Sequence, residues 1–370
     1  MLKVRLSKCS ISNAEIESVS KVLQSEYLGM GEQVSEFEKL IKNYLDTQFD
    51  VICVSTGTSA LHLALECLGL SAGDEVLVPS LTYVASFQAI SATGAVPISC
   101  EVNPTTLFLD INDAEQKITK RTKVIMPVHY ASSSKGMEEV YDLATKYNLR
   151  VVEDAAQAFG CSRQGEKVGV SGDVICFSFD GIKNITSGEG GAIVTGDTTL
   201  ADKLKDSRLL GVKKDTEKRY LGQRSWDFDV EFQGFRYHMS NVHAAIGIEQ
   251  LNRIEEFKTK RQLIVFKYLS DLLEIKQVEI LDFNYDELIS HIFVIKVEQR
   301  NALRDFLLAS GIECGIHYKP NHLLTKYECN CCLPVTEQLY TKILTLPCHV
   351  DFTEDEQEYV ITKIREFYEA

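Results

Sequence analysis

The chain has 370 residues, 45% of them hydrophobic and 25% charged, which excludes a disordered segment, a collagen and a small disulfide scaffold. Its 39 Lys and Arg face 53 Asp and Glu for a net charge of -14, and no dense basic run interrupts that balance, so nucleic acid is not an expected partner. At roughly 150 residues per domain, two domains or one large two-part enzyme are expected.

Met1 to Ser10 lack the apolar segment of a secretory signal, and no uninterrupted apolar stretch of about 18 residues occurs. The expectation is a cytoplasmic chain with no membrane partner. The 11 cysteines are scattered from Cys9 to Cys348, and their odd number reads as reduced thiols, most of them small core residues.

In chain order, apolar runs that fit strands buried on both faces are Asp50 to Val54, Glu75 to Val78, Val96 to Cys100, Lys123 to Val128, Arg150 to Glu153, Val174 to Ser178 and Gly191 to Thr195. Helix-length segments such as Ser59 to Leu68 and Lys135 to Tyr147 separate them, so the pattern is βαβ and the sheet is predicted to be mostly parallel. From Asn241 one long helix is predicted as far as Tyr268, with Ile246, Leu251, Ile254 and Phe257 at its apolar positions. A smaller α+β part follows, with a strand at His291 to Val297, helices near Arg300 to Ser310 and Thr353 to Tyr368, and a polar, cysteine-bearing loop near Lys319 to Pro334. There is no internal repeat and no low-complexity tract. The expected division is a large α/β domain over 12–245 and a small C-terminal domain over 246–370, with residues 1–11 packed as an N-terminal arm.

In a parallel sheet, ligands sit outside the carboxyl ends of the strands, so the residues just after each strand are the candidates for chemistry. After the first strand come Ser55-Thr56-Gly57-Thr58-Ser59-Ala60-Leu61, where a glycine turn opens an apolar helix whose free N–H groups suit a phosphate. The same residues read equally well as a plain helix start capped by Thr58. Glu153-Asp154-Ala155-Ala156-Gln157 follow the fifth strand, and a carboxylate there suits a protonated heteroaromatic nitrogen, although Asp154 alone also reads as a helix cap. Between the sixth and seventh strands stand Ser178, Phe179, Asp180, Lys183 and the Gly-rich turn Gly188-Glu189-Gly190-Gly191. A lysine at the mouth of a sheet can form a Schiff base with an aldehyde cofactor; a lone loop lysine is otherwise solvated surface.

Together these segments resemble the DegT-type nucleotide-sugar aminotransferases, a family of fold-type I pyridoxal phosphate (PLP) enzymes, and the resemblance covers nearly the whole chain. It extends to Leu28-Gly29-Met30-Gly31 with Glu36-Phe37-Glu38, to Gly73-Asp74-Glu75-Val76 running on to Tyr83, to Met239-Ser240-Asn241 with Ala244-Ala245-Ile246-Gly247, and to Leu346-Pro347. The resemblance implies an α/β fold with a mostly parallel seven-stranded sheet between helices and a smaller C-terminal α+β domain. It implies that Lys183 forms the Schiff base with PLP and then moves the proton, passing through pyridoxamine 5'-phosphate (PMP), while Asp154 pairs with the pyridine nitrogen. Gln157 would lie by the phenolic oxygen and Tyr83 would stack on the ring, with a core aromatic as the other reading of Tyr83. Thr58, Ser59 and Ser178 would hold the phosphate.

Two departures stand out. Ser178-Phe179-Asp180 replaces the family's frequent Ser-Phe-His, and Gly234-Phe235-Arg236-Tyr237-His238-Met239 replaces Gly-Tyr-Asn-Tyr-Arg-Met. Arg236 would reach the phosphate in the neighbouring subunit in place of the usual Asn, or is a surface arginine. His317-Tyr318-Lys319-Pro320-Asn321-His322 resembles the family's substrate-side segment, so His317 and Tyr318 are candidate substrate contacts, with an ordinary polar loop as the alternative. Cys329, Cys331 and Cys332 with His322 invite a zinc site, but no second C-x-x-C pair follows and no metal is expected.

The resemblance implies a homodimer, with active sites at the subunit interface, that moves an amino group from L-glutamate to the keto carbon of a nucleotide-linked deoxysugar. Thr186-Ser187-Gly188-Glu189-Gly190-Gly191 looks like the segment common in C-4 aminating members, so the expected acceptor is a 4-keto-6-deoxyhexose linked to dTDP, UDP or GDP, destined for surface polysaccharide such as O-antigen. The alternatives are C-3 amination, a PLP-dependent sugar dehydratase and a non-catalytic sensor.

Overall fold

The computed structural model describes residues 3–329 and 331–369. The apolar runs form the strands β1 (Asp50–Val54), β2 (Glu75–Pro79), β3 (Val96–Cys100), β4 (Thr122–Ile125) and β5 (Arg150–Asp154), then the short hairpin β6 (Ser162–Arg163) and β7 (Glu166–Lys167), then β8 (Val174–Ser178) and β9 (Gly191–Thr195). Apart from the hairpin they make one seven-stranded sheet in the order β1-β9-β8-β5-β4-β2-β3. Every neighbouring pair from β3 across to β8 is parallel, and β9 alone runs against its neighbours β8 and β1. This is the mostly parallel α/β sheet that the sequence predicts.

The runs are continuous because both faces of the sheet are covered. Ile52, Val54, Val152, Val174, Cys176 and Ile193 turn to one side, where they pack with Leu61 and Leu65 of the helix Gly57–Cys67. Val51, Cys53, Ile175, Phe177 and Val194 turn to the other, against Phe37, Phe159 and Ile254. Solvent reaches furthest into the edge strand β3, whose first three residues are exposed or half-buried.

A second, antiparallel sheet joins β10 (Val278–Ile280), β11 (Phe293–Val297) and β12 (Ile343–Leu346) in that order. Its core combines Phe293, Ile295, Leu344 and Leu346 with Tyr268, Leu303, Val360 and Ile364 from three helices. Two residues near the N-terminus lie against this part: Val4 bridges Ile312, and the Leu6 N–H donates to Glu313. Of the expected arm, Met1 and Leu2 fall outside the described residues, as do Asn330 of the cysteine loop and Ala370.

The long helix expected over Asn241 to Tyr268 is two helices, Asn241–Asn252 and Ile254–Leu272, which meet at Arg253 (φ -103°, ψ 4°). The apolar period runs through the junction, but side chains there have partners elsewhere. Gln250 Nε2 donates to Ser10 O at 2.8 Å and Glu15 Oε1 at 2.5 Å, and Arg253 Nη1 donates to the same Glu15 oxygen at 3.0 Å. The first helix therefore packs on the N-terminal helices and the second follows the small sheet. Among the described residues, no helix is long and apolar enough to cross a membrane.

Six free cysteines, Cys53, Cys67, Cys100, Cys161, Cys176 and Cys348, are buried as core residues. The expectation of reduced thiols throughout is corrected at one place. Cys329 and Cys331, two positions apart, are bonded as a disulfide.

Candidate active site

Four strands of the large sheet, β1, β2, β5 and β8, end beside the candidate residues. Gly191, the first residue of β9, pairs with Val54 of β1 on one side and Ser178 of β8 on the other. A Cβ on Gly191 would lie 2.5 Å from the Thr56 carbonyl oxygen, so the glycine lets the turn after β1 close down on the sheet. That turn starts the helix Gly57–Cys67, and its N-cap is Thr56 rather than Thr58: Thr56 Oγ1 accepts from the Ser59 N–H at 2.9 Å, and Ser59 Oγ accepts from the Thr56 N–H at 2.9 Å. Thr58 is exposed at the mouth of the site, and the first N–H groups of the helix have no acceptor within it. Ser59 is buried and its hydroxyl is committed to this capping box. Ser178 lies directly against Gly57. The arrangement is an N–H and hydroxyl cradle suited to an anion.

Asp154, the last residue of β5, is buried. Its Oδ2 accepts from Ser86 Oγ at 2.7 Å and its Oδ1 from the Ala156 N–H at 3.2 Å. Burial pushes its pKa up, and these donors and Lys183 only partly oppose that. A cation against this carboxylate would restore its charged form. Lys183 stands in the loop between β8 and β9, its Nζ 3.3 Å from His291 Nε2. Burial pulls the lysine pKa below its ordinary value, against Asp180 and Asp154, which favour the ammonium.

Gln157 is fixed at both ends: its Oε1 accepts from the Ala131 N–H, and its Nε2 donates to Tyr318 Oη, both at 2.9 Å. The Tyr318 ring lies 5.6 Å from that of Tyr83, which is 58% exposed. Tyr83 is therefore a ring at the site's mouth rather than a core aromatic. His317 is bonded through Nδ1 to Thr345 Oγ1 at 2.8 Å, and burial and the nearby Lys183 lower its pKa to about 4.

The same loop clamps the end of β2. Asn321 Nδ2 donates to Thr82 O at 2.8 Å and to Ser80 O at 3.1 Å, and His322 Nδ1 is 2.7 Å from Ser80 Oγ. His322, considered above as a zinc ligand, is instead tied to Ser80 and Glu337. Among the described residues, no group of three or more His, Cys, Asp or Glu is placed to hold a metal. Sequence reasoning missed the clamp residue Asn321 and the partner His291. It also missed His129, buried behind Asp154 with Nε2 2.7 Å from Glu153 Oε2.

The structure thus brings together Lys183, Asp154, Gln157, Ser178, Thr58, Ser59, Tyr83, His317 and Tyr318. Arg236 is not with them. It is exposed and lines a separate cavity of about 120 Å³ with Arg219 and His238. Burial, Arg236 and Arg219 lower the pKa of His238 to about 4.

Residues 9–365 match the DegT/DnrJ/EryC1/StrS aminotransferase family. The chain belongs to that family and is a PLP-dependent aminotransferase of the fold-type I architecture. It is similar to the GDP-perosamine synthase of Escherichia coli O157:H7, with 36% identity over 97% of both chains. Among solved structures, it is similar to S. venezuelae DesV (TM-score 0.88, 32% identity, 96% of this chain and 94% of that one). It is also similar to Spr1654 of Streptococcus pneumoniae, solved with PLP (TM-score 0.92, 27% identity, 100% of this chain and 99% of that one). The residues present fit the cofactor: a buried carboxylate whose pKa is raised by burial, an amine of lowered pKa, and an anion cradle into which a Cβ at Gly57 would intrude.

Proposed function

We propose that the protein transfers an amino group from L-glutamate to the C-4 keto group of a nucleotide-linked 4-keto-6-deoxyhexose, carried on dTDP, UDP or GDP and used for surface polysaccharide such as O-antigen. The observation that carries the aminotransferase part is Lys183, its pKa lowered by burial, within reach of the charge of Asp154. The segment Thr186 to Gly191 and the similarity to a GDP-perosamine synthase support the sugar part.

Bound PLP supplies an aldehyde that takes up the amine and a ring that accepts electrons from the adjacent carbon. In this reading Asp154 keeps the proton on the ring nitrogen, Gln157 lies by the phenolic oxygen, and Tyr83 covers the ring face. Thr58, Ser59 and Ser178 with the helix N–H groups hold the phosphate, and the Lys183 amine takes and returns the proton. His317 and Tyr318 meet the sugar from the C-terminal side.

The chain is read as 12–245 and 246–370 with residues 1–11 as the arm, acting in the cytoplasm as a homodimer. Leu221, Trp226, Phe228 and Val230 form an exposed apolar stretch just before Arg236, with Trp226 86% exposed. A second copy of this chain would cover that stretch and receive Arg236 at its own phosphate site.

The test is to load the protein with PLP, add L-glutamate, and follow conversion of the cofactor to PMP by absorbance. A panel of dTDP-, UDP- and GDP-linked 4-keto sugars is then added, with mass spectrometry of the products. One sugar gaining an amine as the original spectrum returns is the expected result. Amination confined to a 3-keto sugar would overturn the C-4 assignment, and ammonia release with a deoxy product would favour the dehydratase.

A further inference from the structure

His291 precedes β11 and lies 108 positions from Lys183 in the chain, yet its Nε2 is 3.3 Å from the lysine amine. Several groups hold it there. Its N–H donates to Ser132 Oγ at 3.0 Å, and that hydroxyl is 2.5 Å from the Gln157 carbonyl. Arg261 Nη1 donates to the carbonyls of Ser290 and Cys348, at 2.9 Å each, and lies 3.4 Å from that of His291. Arg261 is 2% exposed, and no carboxylate pairs with it among the described residues. A guanidinium buried against carbonyls alone is costly, and what it holds in place is the segment that presents His291.

His291 is 4% exposed, and its Nδ1 has no hydrogen-bond partner among the described residues. Burial, then Lys183, Arg261 and His317, keep its pKa well below the histidine range, with the Ile182 carbonyl opposing. The neutral ring carries one proton. With that proton on Nδ1, Nε2 accepts an N–H from Lys183 and leaves the amine lone pair free. Leu6, Ile182, His291, His317 and Thr345 line a cavity of about 20 Å³ beside this segment.

We propose that His291 is a positioning residue for Lys183, accepting a hydrogen bond from the lysine amine whenever that amine is not joined to the cofactor, and so aiming it at the reacting carbon. The inference rests on the role given to Lys183 under the proposed function.

The test compares the wild-type protein with His291→Leu, which removes the acceptor, and His291→Gln, whose amide oxygen restores one. In the PLP-loaded proteins, His291→Leu is expected to lower the maximal rate of the half-reaction with amino donor by roughly ten- to a hundredfold, with the donor concentration at half-maximal rate changed less than about twofold. His291→Gln is expected to recover most of that loss. The second readout needs no turnover. Competitive acetylation of the cofactor-free chain, read by mass spectrometry at Lys183 over a pH series, reports the titration of the amine. Its midpoint moves to lower pH in His291→Leu, because the ammonium loses its acceptor, and returns in His291→Gln. A midpoint unchanged in His291→Leu overturns the proposal, as does a rate loss that His291→Gln shares in full. Should the wild-type protein form no Schiff base with PLP, the proposed function fails, while the acetylation series still decides whether His291 and Lys183 are paired.

Discussion

A Cβ placed on Gly57 would lie 2.7 Å from the Cβ of Ser178 and 2.9 Å from its hydroxyl oxygen. The start of the helix after β1 and the end of β8 thus touch through a residue without a side chain. That contact sets the hydroxyl of Ser178 beside the N–H groups of the helix start. Gly57→Ala forces the two apart at a cost of about 1–3 kcal/mol. The expected outcome is a fall in PLP affinity of roughly ten- to a hundredfold, measured by equilibrium dialysis, with the amide circular dichroism unchanged.

Asp154→Asn keeps one acceptor oxygen for the Ala156 N–H, sets an amide N–H against the Ser86 hydroxyl in place of the other, and removes the charge that would meet a protonated ring nitrogen. A fall of about 10²–10³-fold in kcat is expected, with KM for the keto sugar little changed. Steady-state kinetics on the PLP-loaded variant checks it, and a change confined to KM would speak against the assigned role.

Glu38, part of an early motif to which no role attached, proves to be structural. Its Oε1 accepts from Arg208 Nη1 at 2.5 Å and from the Cys53 N–H at 2.7 Å, and Arg208, 0% exposed, also donates to Tyr220 Oη and the Cys53 carbonyl, both at 2.7 Å. Glu38→Gln leaves a buried guanidinium without its counter-charge, which typically costs about 3–5 kcal/mol. Denaturant titration is expected to show a loss of this order, whether or not PLP is bound.

Glu15 joins the first helix to the break at Arg253. Burial alone would raise its pKa, but hydrogen bonds from Ser12 and Gln250 overcome that and hold it at about 2. The folded value lies below the unfolded one of about 4.3, so its contribution to stability is complete above about pH 4.3 and is lost as the pH falls towards 2. Melting temperatures over that window are expected to fall more steeply for the wild-type chain than for Glu15→Gln.

Much of the fold was legible because the strand runs are continuous and bounded by turn residues. The bounds of β1, β3, β8 and β9 coincide with the predicted ones; β1, β8 and β9 are apolar runs buried almost throughout, and β3 is buried at its carboxyl end. Lys183, Asp154 and Ser178 were legible because each lies at or shortly beyond the carboxyl end of a strand, where a parallel sheet puts its ligands. His291 was not, since a histidine at the head of an apolar strand gives no sign that the chain returns it to a lysine 108 positions earlier. The break at Arg253 was hidden for a similar reason: the helical period continues, and the interruption comes from Ser10 and Glu15, far away in sequence. Thr56 and Thr58 flank the same glycine, and only backbone geometry separates the cap from the residue left free at the mouth.

The central claim is that Lys183 is the residue joined to PLP. The most direct measurement is the absorbance spectrum of the purified protein with added PLP, repeated on Lys183→Ala after confirming that the variant is folded by circular dichroism. Borohydride reduction of the wild-type protein and peptide mass spectrometry then locate the label. The expected result is a Schiff-base band and a pyridoxyl group on Lys183 in the wild-type protein, with neither in the variant. A band that persists in Lys183→Ala, or a label on another lysine, would contradict the account.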